Sequence, residues 1–133
     1  MGEDAALLVQ ILWSSKRISY LPESLYYYFA NPTSITKDVT DDKIRQRFLQ
    51  ATANVGIIEQ FLVGKATEKI KEALTKYIFE QSYLIVSLAR KNKEDLSRWR
   101  RSVGKIKSGV YKCSYLSIKN KLVFYLLFFK SLI

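Results

Sequence analysis

Between Thr40 and Gly64 the apolar residues Ile44, Phe48, Ala51, Val55, Ile58 and Leu62 recur at intervals of 4, 3, 4, 3 and 4. That period puts them on one stripe of a helix and excludes a strand, whose side chains alternate every second residue. Thr40 stands where an N-cap belongs, Asp41 and Asp42 fall in the first turn, and Gly64 is placed to end the helix. The pattern persists downstream. A second long helix is expected from about Thr67 to Lys91, with Ile70, Leu74, Tyr77, Leu84 and Leu88 facing inwards. Asn92 can cap a third, in which Leu96, Trp99, Val103, Ile106 and Val110 repeat at 3, 4, 3 and 4, while Gly104 and Gly109 weaken it. A last helix starts near Ser114 or Ser117 and carries Ile118, Leu122, Tyr125, Leu126 and Phe129. The chain is therefore expected to be mainly α, like a helical bundle.

The first forty residues differ. Residues 5–13 are apolar at almost every position, which predicts a helix buried on most sides. Glu3 and Asp4 open it, and Lys16 and Arg17 follow near its end, the charge order a helix dipole favours. Residues 18–29 are rich in Tyr, Ile and Leu, interrupted by Pro22. They predict a short β segment, with one strand at 18–21 and another at 25–29. Asn31-Pro32-Thr33-Ser34 is a turn signal.

Charge divides along the same boundary. The chain has 133 residues and a net charge of +10. Residues 1–40 carry Lys16, Arg17 and Lys37 against Glu3, Asp4, Glu23 and Asp38, a net of −1, leaving 19 basic and 8 acidic side chains beyond them. A domain this basic is attracted to polyanions. With one cysteine, Cys113, and no histidine, an internal disulfide, a zinc site and histidine catalysis are excluded. The lone thiol suits a reducing, cytoplasmic setting. The N-terminus is acidic where a signal peptide is basic, Ala6 occupies the position at which myristoylation requires Ser or Thr, and the longest apolar run, Leu122–Phe129, is far too short to span a bilayer.

Gly2-Glu3-Asp4 and, further on, Leu21-Pro22-Glu23-Ser24-Leu25-Tyr26-Tyr27-Tyr28-Phe29-Ala30-Asn31-Pro32-Thr33-Ser34-Ile35-Thr36 together resemble the family 2 glycosyltransferases of bacterial surface-polysaccharide synthesis. Members carry an acidic pair at the start of a late helix of their catalytic domain, followed about twenty residues on by a Pro-Glu…Tyr-Tyr-Tyr…Ser-Ile-Thr segment. The resemblance covers about the first quarter of the chain. It implies that residues 1–37 are the acceptor-side end of a catalytic domain, the remnant of a nucleotide-sugar-binding α/β fold. Residues 38–133 would be a basic helical C-terminal extension. It further implies that Asp4 is the catalytic base that takes the acceptor hydroxyl proton, with Glu3 orienting the acceptor or the loop. Tyr28 and Ser34 would lie on the acceptor side. The donor is a nucleotide sugar and the acceptor a glycan or a lipid-linked sugar, handled at the inner face of the cytoplasmic membrane.

Two departures matter. Members often have Arg after the tyrosines, where this chain has Phe29. No Asp-x-Asp and no Gly-rich phosphate loop occur, so the Mg or Mn implied for the parent enzyme has no ligands here and no cofactor is expected in this part. The chain is expected to be a C-terminal fragment, inert alone.

Other roles compete for the same residues. First-turn carboxylates stabilise a helix by a few tenths to about 1 kcal/mol with no catalysis involved, alternate tyrosines pack in strands, and Ser34 and Thr36 suit a turn. The basic residues between Arg98 and Lys107, together with Leu122–Phe129 flanked by Lys119, Lys121 and Lys130, suggest an alternative. They could form a helical module binding an anionic membrane surface or, less well supported for want of a recognition motif, nucleic acid.

Overall fold

The computed structural model describes residues 3–23 and 40–129, and the fold is mainly α. Its helices are α1 (Glu3–Ser14), α2 (Asp41–Leu62), α3 (Glu68–Ser82), the single turn α4 (Val86–Ala89), α5 (Lys93–Val103), α6 (Lys107–Lys112) and α7 (Ile118–Phe129). Tight three-residue turns at Tyr83–Ile85 and Gly104–Ile106 join α3 to α4 and α5 to α6.

The stripe that dictated α2 is its buried face: Phe48, Ala51, Val55, Ile58 and Leu62 are all buried. Thr40 holds the N-cap position through its backbone, its carbonyl accepting from Ile44 N at 2.9 Å, without a side-chain capping bond. At the other end Gly64 adopts φ +71°, and the amides of Lys65 and Ala66 donate to the Leu62 carbonyl at 3.0 and 3.2 Å. The left-handed residue after the helix lets these amides satisfy its last carbonyls, and glycine adopts it without a Cβ clash.

The helix expected over 67–91 is broken. Thr67 caps its start, accepting from Ile70 N at 3.4 Å, but the ladder tightens after Ser82, whose hydroxyl donates to the Phe79 carbonyl at 2.6 Å. A hydroxyl competing for a helix carbonyl favours such a deviation. The bend lets Ile85, Val86, Leu88 and Ala89 join the core against α5. Of the expected inner face only Leu88 is fully buried. Ile70, Leu74, Tyr77 and Leu84 are half-buried, and Ile78 and Phe79 hold the centre instead.

On α5 and beyond, Leu96, Trp99, Val103, Ile106 and Val110 are all buried, so the stripe survives the tight turn at Gly104. Asn92 caps α5, its Oδ1 accepting from Glu94 N at 2.8 Å. Trp99 sits at the centre of the core, with ring centroids 5.6 Å from Phe124 and 6.4 Å from Phe128.

Two further expectations fail. α1 is not buried on most sides: Ala6 is buried and Val9 half-buried, but Leu7 is 59% exposed, Leu8 53% and Ile11 52%. It lies on α2 along one side only, Ala6 meeting Ile58 and Leu62. Lys16 and Arg17 follow just after its end at Ser14, near it as expected. The β segment does not form where it is described. Residues 18–23 are irregular and exposed, because no strand among the described residues pairs with them, and residues 25–29 lie outside the described set. On α7 the core takes one side of the helix. Phe124 and Leu127 are buried and Tyr125 is half-buried, whereas Ile118, Leu122, Leu126 and Phe129 face out. From Leu122 to Phe129 the helix is apolar at every position, so no period there selects a face, and the aromatic contacts of Phe124 with Trp99 and Phe79 make the choice.

Candidate functional site

Asp4 lies in the first turn of α1 with its side chain exposed. Glu3 is the first residue of that helix, and its side chain is outside the described set. Tyr28 and Ser34 also lie outside the described residues. Of the four expected site residues the structure thus places one side chain, Asp4, in water at a helix start.

A groove of about 450 Å³ runs between α1, α2 and α3, and Asp4 is not part of its lining. Ala5, next to Asp4, and Val9, Leu12 and Trp13 form one wall; Ile58 and Leu62 of α2 and Ile70, Ala73, Leu74 and Tyr77 of α3 form the others. Trp13 stands edge-on to Phe61, centroids 6.4 Å apart. No lining residue is charged, and the Tyr77 hydroxyl is pushed above its ordinary range by burial, so it stays protonated at neutral pH. A groove of this chemistry accepts a hydrocarbon or an apolar side chain and offers a phosphate nothing. It was missed in the sequence because Ile70, Leu74 and Tyr77 read there as ordinary inward-facing residues; nothing local reveals that α1 covers them incompletely.

Among the described residues no group of three carboxylate or thiol side chains is placed to hold a metal ion. One charged cluster is structural. Asp95, buried between α2 and α5, accepts from Arg45 Nε at 3.1 Å and Nη2 at 2.9 Å, and Arg45 Nη1 reaches Asp42 Oδ1 at 3.1 Å. Arg45 holds the Asp95 carboxyl below the usual carboxylate range, outweighing burial, which acts the other way.

The basic face expected over Arg98–Lys107 is partly engaged within the fold. Arg98 pairs with Glu94, Lys105 with Glu59, and Arg100 Nη2 donates to the Leu127 carbonyl at 3.1 Å. No helix of the described residues is long and apolar enough to cross a membrane. No protein family, curated protein or solved structure matches the chain.

Proposed function

We propose that this chain is the acceptor-side and C-terminal part of an inverting glycosyltransferase that moves a sugar from a nucleotide-sugar donor to a glycan or lipid-linked acceptor. The observation that carries the proposal is the spacing of Gly2-Glu3-Asp4 and the Pro22-Glu23…Tyr26-Tyr27-Tyr28…Ser34-Ile35-Thr36 segment, with Asp4 in the first turn of a helix. In the reaction, Asp4 takes the proton of the acceptor hydroxyl as its oxygen bonds to the anomeric carbon, and the bond from that carbon to the nucleoside diphosphate breaks with its electron pair on the diphosphate. Glu3 orients the acceptor.

The outward apolar face of α1, formed by Leu7, Leu8 and Ile11, supports the same assignment. A nucleotide-binding half of the catalytic domain packed on that face would remove it from water. The apolar groove that begins at Ala5, one residue after Asp4 in the chain, favours a lipid-linked acceptor over a bare glycan.

The test is kinetic. In an enzyme joining this chain to a nucleotide-sugar-binding half, Asp4→Asn is expected to lower kcat by about 10²–10⁴-fold with donor affinity unchanged. Substantial residual turnover removes Asp4 from the role of base. The chain alone is expected to give no heat of binding with nucleotide sugars and Mn²⁺ in calorimetry, and micromolar binding would refute the assignment of the donor site to another part of the enzyme.

A further inference from the structure

The core takes one side of α7 and leaves an apolar side in water. Ile118 is 79% exposed, Leu122 58%, Leu126 72% and Phe129 41%. At the turn of an α-helix these four fall within an arc of about 80°. Lys119 borders the arc on one side and Lys121 on the other. Lys121 is fixed there by donating to the Tyr111 carbonyl at 2.8 Å. The ammonium of Lys107 lies 4.9 Å from the ring centroids of both Phe128 and Phe129, so a third cation marks the C-terminal end of the stripe.

The charge along this part of the chain is of one sign, and the carboxylate that approaches it, Glu72 of α3, is held by the Ser114 hydroxyl and N–H on the Lys121 side. From Leu96 to Ile133 the sequence holds nine Lys and Arg side chains and no Asp or Glu. A second copy of the chain docked through α7 would set lysines against lysines. A neutral protein surface would cover the leucines and leave the cations unanswered. An anionic bilayer answers both, its acyl boundary receiving the stripe and its headgroups the ammonium groups. The helix has 12 residues, about 18 Å, which suits lying in the interface and not crossing it.

We propose that α7 docks this protein on an anionic lipid surface, its axis in the plane of the membrane, with Ile118, Leu122, Leu126 and Phe129 between the headgroups and Lys119 and Lys121 against lipid phosphates. This goes beyond the transferase assignment and does not rest on it: a chain with no catalytic role would dock in the same way.

Co-sedimentation with phosphatidylcholine vesicles, with and without phosphatidylglycerol, tests the proposal. Binding is expected to the anionic vesicles, to weaken as salt rises from about 0.1 M to about 1 M, and to fall at least about tenfold in Leu122→Gln/Leu126→Gln. Both leucines are exposed, so the variant is expected to keep its helical circular dichroism and its Tm. Lys119→Glu is expected to lose anionic binding while leaving the weak binding to neutral vesicles unchanged. Absence of vesicle binding, equal binding to neutral and anionic vesicles, or unchanged binding by the folded double-leucine variant would overturn the proposal. So would a dimer in sedimentation that this variant dissolves, or a preference for duplex DNA in competition with the vesicles.

Discussion

Arg45 closes on Asp95 from fifty residues away in the chain, with Nη2 2.9 Å from one carboxylate oxygen and Nε 3.1 Å from the other. Asp95 is 1% exposed, and this fork-like contact ties the first turns of α2 to the first turn of α5. A buried carboxylate is tolerated because a rigid guanidinium meets it with two donors. Asp95→Asn is expected to lose about 2 kcal/mol at neutral pH, through the weakened hydrogen bonds and the arginine left without its partner. Urea unfolding of both proteins measures the difference.

The same contact sets a pH dependence. The carboxyl of Asp95 is held down chiefly by hydrogen bonds from Arg45, and that of Glu72 by the Ser114 hydroxyl and then the Ser114 N–H. A carboxyl whose folded value lies below its unfolded one stabilises the protein above the unfolded value, about 4, and loses that contribution as pH falls through the folded value. Stability is therefore expected to be steady from pH 7 to about 5 and to drop below about 4, with a shallower acid loss in Asp95→Asn. An equally steep drop in that variant would assign the effect to other carboxyls.

Trp99 and Trp13 should report different surroundings. Trp99 is 1% exposed at the core centre and Trp13 is 46% exposed on the groove wall. Trp13→Phe is expected to leave a blue-shifted emission poorly quenched by acrylamide. Trp99→Ala is expected to cost about 3–5 kcal/mol, as removal of a large buried ring does. A red-shifted, readily quenched Trp13→Phe protein would place Trp99 in water.

Two glycines are expected to respond with opposite sign. Gly64 lies at φ +71° with nothing within 4 Å of an added Cβ, so Gly64→Ala meets backbone strain alone and should cost about 1 kcal/mol. Gly104 lies at φ −56° and ψ −37°, also with open space, and Gly104→Ala should stabilise by about 0.5 kcal/mol through the unfolded chain. Thermal unfolding of the pair decides both.

Cys113 is fully buried, its Sγ donating to the Glu72 carbonyl at 3.4 Å. Its thiol is expected to react with a colorimetric disulfide reagent only as fast as the protein opens, and at once in denaturant. Immediate reaction in native buffer would move that residue to the surface.

The helical class, the face of α2 and that of α5 were legible in the sequence, because each carries one apolar stripe against polar neighbours. Phe48, Val55, Trp99 and Val103 could be assigned to the core from spacing alone, and all are there. The cap at Asn92 and the stop at Gly64 were equally local, since one side chain or one backbone angle produces each. For the candidate site, the placement of Asp4 at a helix start followed from the acidic pair before an apolar run. Its exposure did not follow.

What only tertiary structure decided lies where local pattern is silent. α1 from Ala5 to Trp13 and α7 from Leu122 to Phe129 are apolar at almost every position, so these stretches permit any face to turn inwards. For α7 the rings of Trp99 and Phe79 select Phe124 and send Leu122 and Leu126 outwards. Asp95 reads locally as a first-turn carboxylate, and only the approach of Arg45 across fifty residues makes burying it tolerable. Residues 18–21 have the composition of a strand, but a strand's hydrogen bonds belong to its partner, and none of the described residues provides one.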